Sequence, residues 1–253
     1  MTEVNPFSMA GKHILVTGAS SGIGRAVAIW LSKQGASLTL VARDMTRLES
    51  TLSQLQGAGH SIELFDFLSG ADVSQWFKEV VKRTSSLDGL VHAAGVQMPM
   101  PIRAMSAGHW DKIMATNVTS GFLLIKAFRQ KGVCASGGSI VLISSVMAQA
   151  GEPALLGYCA SKGAVEAMVR AAAVELAREG IRVNAIAPGV VQTELVDTLE
   201  SLVGADSMLA IEQRHPLGFG KADDVAYAVN YLLSPAARWV TGTAMVVDGG
   251  YLA

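Results

Sequence analysis

A short apolar run that breaks into glycines and then opens a helix-like pattern constrains this chain more than any other feature. Residues 13–17 read HILVT, residues 17–24 read TGASSGIG and residues 24–35 read GRAVAIWLSKQG. An apolar run bounded by glycine is the pattern of a strand buried on both faces. Gly18, Gly22 and Gly24 are spaced for a tight turn and a close approach of backbone to a ligand. A helix that begins there turns free N–H groups and the positive end of its dipole toward an anion. Strand, glycine loop and helix in this order form the setting that a pyrophosphate site requires.

The same rhythm continues. Apolar runs at 37–42, 62–67, 89–95, 139–145, 181–189 and 243–250 alternate with helix-like stretches. Such alternation indicates an α/β fold: a Rossmann-like, doubly wound parallel sheet between two helical layers. One domain over residues 1–253 is expected. Residues 193–220 break the rhythm with helical pieces after a strand's carboxyl end, where a substrate lid is expected. Hydrophobic residues make up 50% and charged residues 16%, against about 25% charged in a usual soluble domain. The surplus of apolar surface suggests a subunit interface. Net charge is −1 with no basic block, which gives nucleic-acid binding little support. Cys134 and Cys159 have no paired spacing and read as core residues of a reducing compartment. The opening MTEVNPFSMAGKH lacks signal-peptide character, and no uncharged apolar run reaches the ~18 residues of a membrane span. A cytoplasmic protein is expected, bound to no membrane and no metal.

Two residues suggest acid–base chemistry. Tyr158 and Lys162, in GYCASKG, stand four apart on a helix pattern and so share a face. A phenol titrates at about 10, and a nearby ammonium would lower that value. Gly157, Ala160, Ser161 and Gly163 are small enough to let a cofactor lie close. Ser145 ends an apolar run thirteen residues before Tyr158, at the kind of strand end where doubly wound folds place their sites.

The loop spacing TGxxxGxG, together with TNVTSGF at 116–122, ISSV at 143–146, YCASK at 158–162, RVNAIAPG at 182–189 and VDGG at 247–250, resembles the short-chain dehydrogenase/reductase family. The likeness runs from about residue 10 to 250, and in motif wording it is nearest to the 3-oxoacyl-carrier-protein reductases. It implies a catalytic set of Asn117, Ser145, Tyr158 and Lys162. Ser145 would hold the substrate oxygen, Tyr158 would exchange its proton, Lys162 would tune Tyr158 and hold a ribose, and Asn117 would hold a relay water. The resemblance also implies dinucleotide contacts from Gly18, Ser20, Ser21, Gly22, Ile23, Gly24, Asp66, Phe67, Ala93, Gly95, Tyr158, Lys162, Val191 and Thr193. Asp66 would meet the adenine, unless it only caps a helix; Val191 and Thr193 would hold the nicotinamide carboxamide. Helices over 121–128 and 164–180 would form a homotetramer interface, with a dimer as the alternative.

The second run ends LVARDM. In the family the residue ending this strand reads the adenosine ribose; here it aligns with Ala42, followed by Arg43. A guanidinium suits a 2′-phosphate, so NADP(H) is favoured over NAD(H). Asp44 reads as a helix cap, but a register slip of two residues would place it at the ribose. The family's Asn-Asn-Ala-Gly is here His92-Ala93-Ala94-Gly95, and His92 reads as a buried structural histidine. Met98, Met147, Leu155, Leu156, Leu195, Leu199 and Met208 suggest an apolar substrate pocket.

The expectation is NADPH-dependent, reversible reduction of a ketone, 3-oxoacyl or similar, to a secondary alcohol: a carbonyl reductase. One alternative is NAD-dependent oxidation of a secondary alcohol or sugar hydroxyl, as in polysaccharide synthesis. Another, of a different class, is a non-catalytic NADP-binding sensor.

Overall fold

The computed structural model describes residues 5–194 and 204–253. Its central sheet has seven parallel strands. In chain order they alternate with helices: β1 His13–Thr17, α1 Gly22–Lys33, β2 Ser37–Ala42, α2 Met45–Leu52, β3 Ser61–Leu64, α3 Val73–Arg83 and β4 Leu87–His92. Then come α4 Ala107–Met114, α5 Ser120–Phe128, β5 Cys134–Ile143, α6 Leu156–Leu176 and β6 Arg182–Pro188. A short pair, β7 Val191–Gln192 and β8 Gly220–Lys221, brackets α7 Ala205–Gln213; α8 Ala222–Leu233 and β9 Ala244–Val247 complete the order.

The strand order β3-β2-β1-β4-β5-β6-β9 reverses direction between β1 and β4. This is the switch point at which doubly wound sheets open a crevice beyond their strand ends. Every residue of β1 is buried, since helices cover both faces. One apolar layer gathers Phe77, Leu124, Phe128 and Val169 from α3, α5 and α6. The opposite layer gathers Val27, Leu31, Leu48, Val225 and Val229 from α1, α2 and α8. Trp30 of α1 meets Tyr227 of α8 edge-on at 4.5 Å between ring centroids.

The apolar run at 62–67 is a strand only as far as Leu64. The Asp66 carboxylate accepts from the Leu68 amide at 3.0 Å, and Ser69 Oγ donates to the Asp66 carbonyl at 2.7 Å. This local turn competes with the ladder and ends it. Asp66 and Phe67 therefore lie in a loop beyond the strand. Asp72, not Asp66, caps α3, accepting from Ser74 and Gln75. The supposed lid contains α7, while residues 195–203, with Leu195 and Leu199, lie outside the described residues.

Candidate active site

Beyond the ends of β4, β5 and β6 lies a cleft of about 760 Å³ lined by Ala93, Gly95, Ser145, Tyr158, Lys162 and Val191 among others. The fold delivers each side chain differently. β5 stops at Ile143, and Ser145 caps the following 3-10 turn by accepting from the Met147 amide at 3.2 Å. Ser144 turns the other way and donates to buried Glu166 at 3.2 Å. Tyr158 and Lys162 project from the first turns of α6. The Ser145 hydroxyl acts on the Tyr158 phenol in the direction that favours its ionised form. Lys162 Nζ donates to the Ile143 carbonyl at 2.8 Å.

Asn117 sits on a π-helical turn, Ala115–Thr119, between α4 and α5. One wider turn inside a helical run re-aims the side chain it carries. Asn117 Oδ1 accepts from the Val96 amide at 2.8 Å, and Nδ2 donates to the Val96 carbonyl and to Ser161 Oγ, both at 2.9 Å. Its amide thus pins the strand-end segment after Gly95 to α6. Gly95 is the neighbour this permits, because a Cβ there would stand 3.3 Å from Asn117 Oδ1 and 3.6 Å from Lys162 Nζ.

The electrostatics correct one expectation. Burial raises the Tyr158 phenol above its ordinary value, and the Ser145 hydroxyl only partly offsets this. The ammonium of Lys162 does not lower it in this state. Lys162 is itself held down to about 8 by burial. Tyr158 is therefore protonated at neutral pH.

The residues around the glycine loop fit a dinucleotide. The amides of Gly22, Ile23 and Gly24 have no acceptor among the described residues, and Ser21 at the N-cap offers them no side-chain bond. That leaves a twelve-residue helix with an open, positive amino end. Gly18 has φ +68, and a Cβ there would lie 2.7 Å from the Ala94 amide nitrogen. The methyl of Thr193 would stand 3.4 Å from a Cβ on Gly22, so Thr193 abuts the loop, and its Oγ1 donates to the Val191 carbonyl at 3.3 Å. Ile23 reaches the cleft wall; Gly18, Ser20, Ser21, Gly22, Gly24, Arg43, Asp66, Phe67 and Asn117 do not line it. Arg43 follows β2 directly and is exposed, with no polar partner among the described residues. Asp44 caps α2, accepting from the Arg47 amide at 3.0 Å.

The family model described as Enoyl-(Acyl carrier protein) reductase matches residues 18–252. A 2-(S)-hydroxypropyl-CoM dehydrogenase from Xanthobacter autotrophicus is 35% identical over 247 residues, covering 95% of this chain and 96% of its own. A 3-oxoacyl-(acyl-carrier-protein) reductase from Rickettsia prowazekii is 35% identical over 245 residues, covering 96% and 98%. The chain belongs to the short-chain dehydrogenase/reductase family. It is thus an oxidoreductase acting on a secondary alcohol or ketone with a nicotinamide cofactor. Among solved structures, a protein from Agrobacterium tumefaciens assigned as a 2-deoxy-D-gluconate 3-dehydrogenase, with bound NADP, superposes with a TM-score of 0.88 at 35% identity, covering 98% of this chain and 99% of that one.

Within this short-chain dehydrogenase/reductase, His92 replaces the first asparagine of the family's usual tetrapeptide. It is buried, and its Nε2 and Nδ1 lie 2.8 Å from Ser120 Oγ and 2.7 Å from Thr17 Oγ1. Ser120 gives its only proton to the Thr116 carbonyl at 2.5 Å, so Nε2 donates and Nδ1 accepts. A single-direction chain results, from the Ala94 amide through Thr17, His92 and Ser120 to Thr116. It ties β1 and β4 to the turn that carries Asn117. Burial, then the charge of Lys162, lowers the imidazole to about 3.

Sequence reasoning missed the polar end of the cleft. Met147 and Leu155 line it as expected, but Met98, Leu156 and Met208 do not. Glu152, Arg214 and Tyr251 do. The one visible signal was Glu152 itself, a carboxylate between Ser145 and Tyr158 in a chain with few charges.

Proposed function

We propose that this protein reduces a ketone to a secondary alcohol with NADPH, reversibly. The observation that carries the reading lies at the end of β2. Arg43 presents an exposed guanidinium with no partner among the described residues, while Asp44 is occupied as the cap of α2. A free guanidinium there suits a ribose 2′-phosphate. The NADP bound to the Agrobacterium tumefaciens relative agrees with this. Gly18, Ser20, Ser21, Gly22, Ile23 and Gly24 would cradle the pyrophosphate, Asp66, Phe67, Ala93 and Gly95 would flank the adenosine side, and Val191 and Thr193 would hold the carboxamide.

A nicotinamide cofactor held by these residues would supply the hydride that the carbonyl carbon takes up. As the C=O π bond opens, its electron pair moves to oxygen, which takes the proton of Tyr158 Oη. Ser145 steadies that oxygen by a hydrogen bond aimed at developing charge. Burial keeps Tyr158 in its protonated form, which is the form a reductase needs. Lys162 would hold the ribose and steady the Tyr158 phenolate left by the transfer, with Asn117 holding the water that relays a proton back from solvent. Exposed Phe122 of α5 and Val174 of α6 support association through those two helices, as a homotetramer or, alternatively, a dimer. A cytoplasmic setting fits the absence, among the described residues, of any helix long and apolar enough to cross a membrane.

Titration of the wild type and Arg43→Ala with NADPH and NADH tests the reading. NADPH should bind at least tenfold tighter, a gap of ~1.4 kcal/mol, and the gap should close in the variant. Tighter binding of NADH would make Asp44 the ribose reader and alcohol oxidation the reaction.

A further inference from the structure

Besides Ser145, Tyr158 and Lys162, the cleft wall carries an ionic group. Glu152 lies on the loop between Ser145 and α6, Arg214 ends α7 and Tyr251 follows β9. Arg214 Nη1 forms an ion pair with Glu152 Oε1, and Tyr251 Oη donates to the same oxygen at 2.8 Å. The guanidinium carbon lies 4.5 Å over the Tyr251 ring. Both partners therefore converge on one carboxylate oxygen, and Glu152 Oε2 has no partner among the described residues. A guanidinium carries five N–H donors, more than Glu152 and Tyr251 take up. Both residues line the cleft and keep side-chain exposures of 28% for Glu152 and 48% for Arg214, so the spare acceptor and donors are accessible.

The group is held rigidly. His215 Nε2 accepts from the Val190 amide at 3.1 Å and its Nδ1 donates to the Ile211 carbonyl at 2.9 Å. The His215 ring lies 4.8 Å from that of Tyr251, which ties the group to the segment leading into Val191. On the other side Ala154 takes φ 65, a left-handed conformation that an alanine adopts at a cost. Its carbonyl accepts from the Met100 amide at 2.8 Å. Strain is thus spent on shaping the loop that presents Glu152.

We propose that Glu152, Arg214 and Tyr251 form a subsite for the hydroxyl groups of an uncharged, polyhydroxylated ketone. An acceptor beside spare donors matches hydroxyls, each of which both gives and takes a hydrogen bond. An anionic substrate fits less well, because Glu152 neutralises Arg214 and would itself repel the anion. A plain alkyl ketone would displace water from the pair's spare donors and acceptor without replacing its hydrogen bonds. Met147 and Leu155 then face the carbon skeleton. The assignment rests on the carbonyl-reductase reading above and adds the substrate class to it.

The test compares L-erythrulose, 2-pentanone and levulinate as probes with NADPH, in the wild type, Glu152→Gln, Arg214→Met and the milder Tyr251→Phe. Thermal unfolding of each variant controls for folding. The wild type should favour L-erythrulose, and each of the first two variants should lower the L-erythrulose to 2-pentanone ratio of kcat/KM at least tenfold, mainly through KM. Tyr251→Phe should move the ratio the same way by less. An unchanged ratio overturns the subsite. So does levulinate as the best substrate, improving in Glu152→Gln and lost in Arg214→Met, since the cation would then be reading an anion. Should no probe be reduced, the reductase reading fails separately. The subsite is then judged by calorimetric titration of L-erythrulose into the NADP⁺ complex, where equal affinity in wild type and Glu152→Gln overturns it.

Discussion

The ammonium of Lys162 lies 5.5 Å from the centroid of the Tyr158 ring, yet its hydrogen bond goes to the Ile143 carbonyl. A buried cation with one neutral acceptor is destabilising, which is why Lys162 titrates at about 8 against an ordinary 10.5. Between those values the unfolded chain binds a proton that the folded chain does not. Stability contributed at this residue therefore rises as pH increases through that window. The full shift corresponds to up to about 3 kcal/mol. Denaturant unfolding of the cofactor-free protein and Lys162→Met across the window should show the wild type gaining on the variant as pH rises. A constant difference between the two would refute the buried charge.

Replacing the proton donor should be far more damaging to turnover than to binding. Tyr158→Phe should lose about 10²–10⁴-fold in kcat and Ser145→Ala about 10²–10³-fold. NADPH affinity, read by fluorescence titration, should move little in either. A Tyr158→Phe protein that turns over at the wild-type rate on any accepted ketone would remove Tyr158 from the chemistry.

What the sequence made legible follows from which forces are local. β1 and β2 were readable to their last residues because burial on both faces leaves uninterrupted apolar runs. β3 was overextended because the Asp66 turn depends on side-chain bonds that periodicity ignores. β5 starts earlier than its apolar run, since Cys134 pairs with Leu87 across an irregular register. That Tyr158, Lys162 and Ser145 would share one cleft was legible through helical spacing and a strand end. The pKa of Tyr158 was misjudged, because a favourable cation was counted and desolvation was not. Glu152 and Arg214 stand 62 residues apart, and nothing local announces that loop and helix end will meet.

The His92 chain carries its own pH signature. With the imidazole lowered from 6.5 to about 3, the unfolded state takes up a proton across that interval and the folded state does not. Stability from this residue is fully present above 6.5 and is lost as pH falls toward 3. His92→Asn should cost about 1–3 kcal/mol at neutral pH by breaking the chain, while its stability falls less steeply with acid than that of the wild type. Parallel acid profiles from urea unfolding would mean that His92 exchanges protons with solvent in the folded protein.

The glycine loop allows a comparison between two glycines in helices. A Cβ on Gly24 would fall 2.2 Å from the Gly18 carbonyl oxygen, a backbone atom that cannot swing aside. Gly18 in turn is wedged against the Ala94 amide nitrogen, so relief of the clash must move the whole loop. Gly108, exposed in α4, would find its nearest atom, Ser106 Oγ, at 3.9 Å. Alanine there gains helix propensity and loses unfolded-state freedom, for roughly 0.4–1 kcal/mol of added stability. Gly24→Ala should therefore lower the unfolding midpoint and weaken NADPH binding together, whereas Gly108→Ala should raise the midpoint and leave binding alone. A Gly24→Ala protein that binds NADPH as tightly as the wild type would show that the cofactor does not depend on the shape of this loop.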